Sequence, residues 1–168
     1  MAYAEFRSEY KGVPLVVEMP PQIWRDLENM ARAALLNETG GAIYTKMIGE
    51  QRAVIGHVTP PPADTQATSD LLMLGDEWDR VSPPPEICEQ EKWSFVGFWH
   101  AHPKASSHNS AGDNEALRAL AKGLPGCWPI HIILAADQEG YFSCELYMNV
   151  EGLIVSFGEP KVPDEFAD

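Results

Sequence analysis

A chain of 168 residues with 45% hydrophobic and 22% charged residues has the size and composition of one globular domain. Its formal net charge of −13 argues against a nucleic-acid-binding groove, because the phosphate backbone would repel an acidic surface. The polar first ten residues, the absence of a long apolar run and the odd count of three cysteines without a CxxC pair predict a soluble cytoplasmic protein that does not contact membranes.

The first third of the chain predicts a strand, a helix and a β-hairpin. Each strand is recognised by β-branched residues between turn signals, and the helix by apolar residues at helical spacing after a proline. The predicted strand covers residues 13–18, the helix about residues 21–36, and the hairpin residues 42–48 and 53–58. Glu38 therefore lies between the helix and the hairpin.

Residues 60–92 interrupt this regular pattern. A triple proline opens the segment and a second one occurs at residues 83–85, so a continuous helix is excluded. Only short helical pieces are predicted, around residues 76–80 and 86–91. We interpret the segment as an insertion that crosses the surface of the domain.

The second half of the chain alternates again between strands and a helix. An apolar strand is predicted over residues 93–99 and leads directly to His100. Ser110 is placed to cap a helix over about residues 111–122. Further strands are predicted over residues 129–135, 141–148 and 153–157. Residues 158–168 are acidic and contain proline, so we expect one α/β domain over residues 1–157 and a disordered tail.

Two histidines and one aspartate have a spacing that favours a shared metal ion. His100 and His102 are two residues apart at the end of a strand, so their side chains point to the same side. Asp113 lies in the first turn of the next predicted helix, where the helix dipole favours an ionised carboxylate. Two neutral nitrogens and one oxygen suit a tetrahedral Zn²⁺ whose fourth ligand is water.

Glu38 and Ser110 provide the other groups that a hydrolytic zinc site needs. Zinc lowers the pKa of its bound water from about 16 to near 7, which makes a nucleophile available at neutral pH. Glu38 is the candidate general base and the later proton donor to a leaving amine. Ser110 is the candidate donor to the oxyanion that develops on the attacked carbonyl. The combination predicts metal-assisted amide hydrolysis.

Each part of this pattern also has an ordinary structural explanation. Ser110 and Asp113 fit a capping box, in which both side chains satisfy N–H groups at a helix start. A His-x-His sequence alone is weak support for a metal site, and a glutamate after a helix is most often a surface residue. His57 and His131 lie in strand patterns, which favours packed histidines rather than ligands.

The conjunction of these residues resembles the signature of a known family. His100-Ala101-His102-Pro103 is followed after six residues by Ser110 and, two residues later, by Asp113, while Glu38-Thr39-Gly40-Gly41 lies upstream. This spacing resembles the JAMM metalloproteases, the catalytic branch of the JAB1/MPN domain family, and the likeness covers roughly residues 13–150. It implies a single-domain MPN/JAB fold, similar to cytidine deaminases, with a mixed, mainly antiparallel sheet flanked by helices.

The resemblance also implies a role for each of the five positions. His100, His102 and Asp113 correspond to the zinc ligands, Glu38 to the acid/base and Ser110 to the oxyanion-stabilising serine. None of the five is substituted, unlike in the metal-free scaffold members of the family. Family members cleave after the C-terminal glycine of ubiquitin or a ubiquitin-like protein, and the insertion over residues 60–92 falls where the family carries a substrate-contacting segment.

The sequence thus predicts a zinc isopeptidase or peptidase whose substrate is a ubiquitin-like protein or its conjugate. The short chain resembles prokaryotic members, which act beside E1- and E2-like proteins in conjugation or antiphage-defence pathways, or on sulfur-carrier proteins. Processing of a sulfur carrier and a non-catalytic MPN interaction module remain alternatives. A non-haem iron oxygenase shares the two-histidine, one-carboxylate set but not this spacing, and a zinc deaminase would need a Pro-Cys-x-x-Cys sequence that the chain lacks.

Overall fold

The computed structural model describes residues 2–34, 36–103, 107, 110–137 and 139–166. Within these residues the chain forms ten strands, three α-helices and two short 3-10 turns, the turns at Trp78–Arg80 and Asp164–Phe166. The strands are β1 (Ala4–Tyr10), β2 (Val13–Met19), β3 (Thr39–Gly49), β4 (Arg52–Val58), β5 (Gln66–Ala67), β6 (Leu72–Met73), β7 (Ser94–Pro103), β8 (Ile130–Ala136), β9 (Phe142–Val150) and β10 (Leu153–Gly158), and the helices are α1 (Pro21–Ala33), α2 (Pro85–Glu91) and α3 (Ala111–Gly123).

Eight of these strands form one mixed sheet in the order β1-β2-β4-β3-β7-β8-β9-β10. Neighbouring strands are antiparallel except β2–β4 and β7–β8, and the latter pair is joined by α3, as a parallel connection requires. Helix α1 packs against β3, β4 and β8, and α3 packs against β8 and β9. Ile132 of β8 belongs to the core cluster of α1, whereas the next residue, Ile133, packs with Leu117 of α3. Because consecutive strand residues face opposite sides, the two helices cover opposite faces of the sheet. The predicted α/β architecture, a mainly antiparallel sheet flanked by helices, is confirmed.

Helix α1 is held by an apolar stripe. Ile23, Leu27 and Ala31 recur every four residues and are buried against the sheet. The helix ends at Ala33, whereas the sequence predicts an end near residue 36; residue 35 of that prediction lies outside the described residues. Beyond the helix, the backbone N–H of Glu38 donates to the Thr68 carbonyl at 2.7 Å.

Strand β1 was not predicted, because its charged outward-facing residues make the segment look polar although buried and exposed positions alternate. Ala4 and Phe6 are fully buried, while the residues between and after them, Glu5, Arg7 and Glu9, point away from the core. At the other end of the strand, the Ser8 hydroxyl donates to the Ser156 carbonyl at 3.0 Å. The first and last strands of the sheet therefore approach one another, and the sheet curls toward closure.

The tail also differs from the predicted disorder over residues 158–166, the part that the structure describes. Glu5 and Lys161 exchange backbone hydrogen bonds at 3.0 and 2.9 Å. Phe166 packs edge-on against Trp24 of α1, with ring centroids 6.0 Å apart. The open edge of β1 supplies unpaired backbone groups, and an exposed apolar surface on α1 supplies a site for the aromatic ring. Neither partner is visible in the composition of the tail.

The insertion over residues 60–92 contains a two-stranded hairpin, β5–β6, which was not predicted. The predicted short helical pieces are confirmed as the turn at Trp78–Arg80 and as α2. The predicted hairpin around Gly49-Glu50 is confirmed as β3–β4. No helix among the described residues is long and apolar enough to cross a membrane.

The close pairing of β7 and β8 depends on a glycine. A Cβ atom at Gly97 would overlap the Ile130 carbonyl of the neighbouring strand, whereas one at Gly123, the last residue of α3, would meet nothing. We predict that Gly97→Ala lowers the free energy of unfolding by about 1–3 kcal/mol. The matched Gly123→Ala should leave it unchanged or raise it by up to about 1 kcal/mol. Urea unfolding measures both, and equal effects of the two variants would contradict the packing argument.

Candidate metal centre

Glu38 is positioned by the pairing of β3 with β7. Thr39 lies opposite Ala101 and Gly40 opposite His100, so the same antiparallel register places Glu38 opposite His102. The Glu38 side chain is only 6% exposed. The sequence-based expectation of a glutamate between a helix and a strand is confirmed, and the structure adds that this glutamate is buried.

Strand β7 continues past its predicted end through both histidines. His100 and His102 consequently lie on one face of the sheet, with their ring centroids 4.3 Å apart. The predicted strand over residues 93–99 was too short because the polar histidines do not resemble a buried strand. Pairing with β8 on one side and β3 on the other explains why the strand nevertheless continues.

Asp113 lies in the first turn of α3, and Ser110 caps that helix. The Ser110 backbone N–H and hydroxyl donate to Asp113 Oδ2 at 2.9 and 2.8 Å, and the Asp113 N–H donates back to Ser110 Oγ at 3.1 Å. This is the capping box that the sequence offered as the ordinary explanation. Because the cap uses Oδ2, the other oxygen, Oδ1, is turned toward His100.

The structure brings the four predicted side chains together. His102 Nδ1 is 2.9 Å from Glu38 Oε1, and His100 Nε2 is 3.2 Å from Glu38 Oε2. On the other side, Asp113 Oδ1 is 3.4 Å from His100 Nδ1, and Asp113 Oδ2 is 3.8 Å from His102 Nε2. Two imidazoles therefore lie between two carboxylates. The individual roles as ligands and as acid/base stay predictions.

The donor set fits a metal ion. His100 Nε2 is the one buried side-chain nitrogen or oxygen among the described residues that has no hydrogen-bond partner. Its 3.2 Å approach to Glu38 lacks the alignment of a hydrogen bond, and leaving such a polar atom unsatisfied is costly. Two sets of ligand atoms lie within 4.8 Å of one another and share His100: one includes Glu38 and His102, the other Asp113 and His131.

Contacts within the pocket shift the pKa values of Asp113 and His102 in opposite directions. Burial alone would raise the pKa of Asp113, but hydrogen bonds from His100, His102 and Ser110 outweigh it and hold the pKa well below the usual range. The pKa of His102 is raised by its interactions with Asp113 and Glu38, against the opposing effect of burial. Asp113 thus remains ionised, as a metal ligand must be.

His131 is a site residue that the sequence analysis assigned to packing alone. It is buried on β8, and its ring stacks on that of His100 with the centroids 6.2 Å apart. Burial lowers its pKa to about 4. Only the parallel register of β7 and β8 reveals its position, since a lone histidine in a strand carries no such signal.

These side chains line a cavity of about 570 Å³. Its floor consists of Glu38 and the residues of β7 and α3 already described. One wall comes from the insertion, through Leu71, Leu72, Leu74 and Trp78. The backbone bond from Glu38 to Thr68 joins this wall to the start of β3. The insertion therefore lines the cavity that contains the candidate site.

Comparison with known proteins agrees with this geometry. Residues 20–147 match the family model described as prokaryotic homologs of the JAB domain. The chain belongs to this family. No curated protein matches this chain. It is similar in structure to the protein DSY2949 from Desulfitobacterium hafniense, with a TM-score of 0.56 and 15% identity over 82% of this chain and 87% of that one, a likeness of fold. The His, His, Asp and Glu group of this JAB domain fits a JAMM-type metal site.

The buried His131 makes the stability of the metal-free JAB domain depend on pH. The unfolded chain protonates this ring near its ordinary pKa of 6.5, whereas the folded chain does so only near 4, so stability is lost as the pH falls between these values. We predict that wild type loses about 3 kcal/mol relative to His131→Phe over this range.

Urea unfolding in the presence of a chelator, at several pH values, measures this difference. His57→Phe is a suitable comparison, because His57 is only half-buried and its pKa is lowered by the same cause. Parallel stability curves for wild type and His131→Phe would contradict the expectation.

Proposed function

We propose that this JAB domain is a zinc-dependent isopeptidase or peptidase that cleaves after the C-terminus of a ubiquitin-like protein. The observation that carries the proposal is the close approach of Glu38, His100, His102 and Asp113 in the lining of one cavity, with His100 Nε2 buried and unsatisfied. Family membership supports it, and the residue pattern resembles that of the catalytic branch.

In this proposal His100, His102 and Asp113 hold the zinc ion. When bound, zinc supplies a Lewis acid that lowers the pKa of water and polarises a carbonyl. The chain provides the ligands with their supports: Ser110 fixes one oxygen of Asp113, and the β3–β7 pairing fixes both histidines. Such outer contacts orient ligands and typically change metal affinity by about 10–100-fold when removed.

Glu38 would move the protons of the reaction. Its carboxylate is buried beside both histidines, so it can accept a proton from the attacking water and later give it to the leaving amine. The Thr68 carbonyl anchors its backbone, which restricts where the carboxylate can lie. The same side chain thus serves as base and then as acid.

Ser110 would stabilise the oxyanion, and the structure shows what this role requires. Its hydroxyl currently donates to Asp113 Oδ2. To donate to an oxyanion, the hydroxyl proton must turn away from Asp113, while Ser110 Oγ keeps accepting the Asp113 N–H. The backbone N–H of Ser110 continues to hold Asp113 during this change, so the ligand stays in place.

The substrate part of the proposal rests on the residues that line the cavity. Leucines of the insertion and Trp78 line it together with the proposed catalytic residues, which suits the apolar side chains of an extended C-terminal segment. We propose that a ubiquitin-like protein or its conjugate presents this segment, with E1- and E2-like proteins of a cytoplasmic conjugation or antiphage-defence pathway as partners. Processing of a sulfur-carrier precursor is the alternative substrate for the same chemistry.

Substitution of Glu38 separates metal binding from catalysis. We predict that Glu38→Gln binds about one zinc per chain, as wild type does, but cleaves about 10²–10⁴-fold more slowly. His100→Ala should lose both zinc and activity. Elemental analysis gives the metal content, and a ubiquitin-like protein joined through its C-terminal glycine to a lysine side chain gives the rate. Glu86→Gln, on the exposed face of α2, is the matched control and should resemble wild type.

A second arm of the experiment identifies the type of substrate. Linear fusions, isopeptide conjugates and sulfur-carrier precursors with residues beyond the terminal glycine are compared at equal enzyme concentration. Zinc binding without cleavage of any of them would exclude the proposed substrates. Less than about 0.1 zinc per chain would favour a non-catalytic interaction module, because a three-ligand site of this kind normally retains its metal.

A further inference from the structure

A buried polar cluster lies beside the candidate metal centre on the face of the sheet that α3 covers. Ser143, Glu145 and Tyr147 alternate along β9 and are all less than a tenth exposed. The Tyr147 hydroxyl donates to Glu145 Oε2 at 3.4 Å, and its ring packs against Leu117 of α3. The proposed reaction does not use any of these groups.

Ser107 also belongs to this cluster, and in sequence it lies between the two histidines of β7 and the Ser110–Asp113 cap. Its side chain is 4% exposed; its hydroxyl donates to Glu145 Oε2 at 3.0 Å and accepts from the Ser143 hydroxyl, also at 3.0 Å. In sequence it follows His102 by five residues and precedes Ser110 by three. Ser107 is thus held against β9 three residues before Ser110.

The position of a carboxylate inside the sheet needs a reason. Burial of a charged group is unfavourable unless hydrogen bonds satisfy it, and strand β9 could carry an apolar residue at this position without that cost. Here the same oxygen of Glu145 receives hydroxyls from the connecting segment and from Tyr147. Removing Ser107 would take one hydrogen bond away from this buried carboxylate.

We infer that Ser107 and Glu145 are a positioning pair that fixes the distance between the β7 histidines and the Ser110–Asp113 cap. The pair would act through the covalent connection of Ser107 to Ser110, three residues later in the chain. Tyr147 adds to this effect, since it contacts both Glu145 and α3. This inference rests on the proposed function for its link to zinc, but the effect on the geometry of the cap does not depend on a metal.

Zinc affinity tests the pair without measuring cleavage. We expect Ser107→Ala and Glu145→Leu to weaken zinc binding by about 10–100-fold in competition with a chelator, as loss of a contact that orients ligands does. Glu145→Gln keeps a carbonyl oxygen for Ser107 and should remain within about threefold of wild type. Ser107→Ala is the milder change and keeps the test valid if Glu145→Leu fails to fold.

Asn149→Ala is the matched control. Asn149 also lies on β9 and is buried to a similar degree. Its side chain accepts a hydrogen bond from the Gly152 N–H at 3.0 Å, so it supports the turn before β10 and not the segment near the site. Its loss should lower stability and leave zinc affinity within about twofold of wild type, because no ligand is oriented through it. A purely structural role of Ser107 would make Ser107→Ala behave in the same way.

Amide hydrogen exchange of the metal-free protein gives the second readout. Ser107→Ala and Glu145→Leu should accelerate exchange at the Asp113 N–H about tenfold or more, and Asn149→Ala should not, because only the former release the segment that leads into the cap. If wild type binds no zinc, the proposed function fails and exchange alone decides the inference. Variants of Ser107 and Glu145 that match Asn149→Ala in both readouts would overturn it.

Discussion

The antiparallel pairing of β3 with β7 is the constraint on which the candidate site depends. It places Glu38 opposite His102, and it requires the two strands and the chain beyond them to approach closely. The glycines after Glu38 make this possible. A Cβ at Gly40 would overlap the Trp99 carbonyl of β7, and a Cβ at Gly41 would overlap the Thr59 carbonyl, which also accepts a hydrogen bond from the Trp99 indole at 2.8 Å. The Glu-Thr-Gly-Gly sequence therefore combines one chemical group with the packing that holds it in place.

The cap of α3 removes an apparent conflict between the structural and the functional explanation of Ser110 and Asp113. A carboxylate has two oxygens, and the cap uses Oδ2 while Oδ1 faces His100. The helix start thus fixes the orientation of the aspartate that a metal would use. The capping pattern alone weakens the case for a metal site. Together with the contact between Asp113 Oδ1 and His100, it strengthens that case.

The sequence was sufficient for residues whose signal is local. The two histidines of β7, the capped start of α3 and the amphipathic α1 each follow from a short pattern with one physical cause. His131 and Ser107 could not be found in this way, because their positions depend on the parallel register of β7 and β8 and on a partner in β9. Strand β1 was missed for another reason: its alternation is present, but outward charges resemble a polar, unstructured start.

The charges of the site residues also determine how proton binding and metal binding affect one another. Glu38 and Asp113 place two carboxylates in a buried space, and such groups are unfavourable there without positive charge. The pKa of His102 is raised by Asp113 and Glu38, so this ring takes up a proton more readily than an ordinary histidine does. A metal ion held by His102 would compete with that proton, so metal binding would become weaker as the pH falls. The two carboxylates that would attract the metal therefore also favour its competitor, the proton.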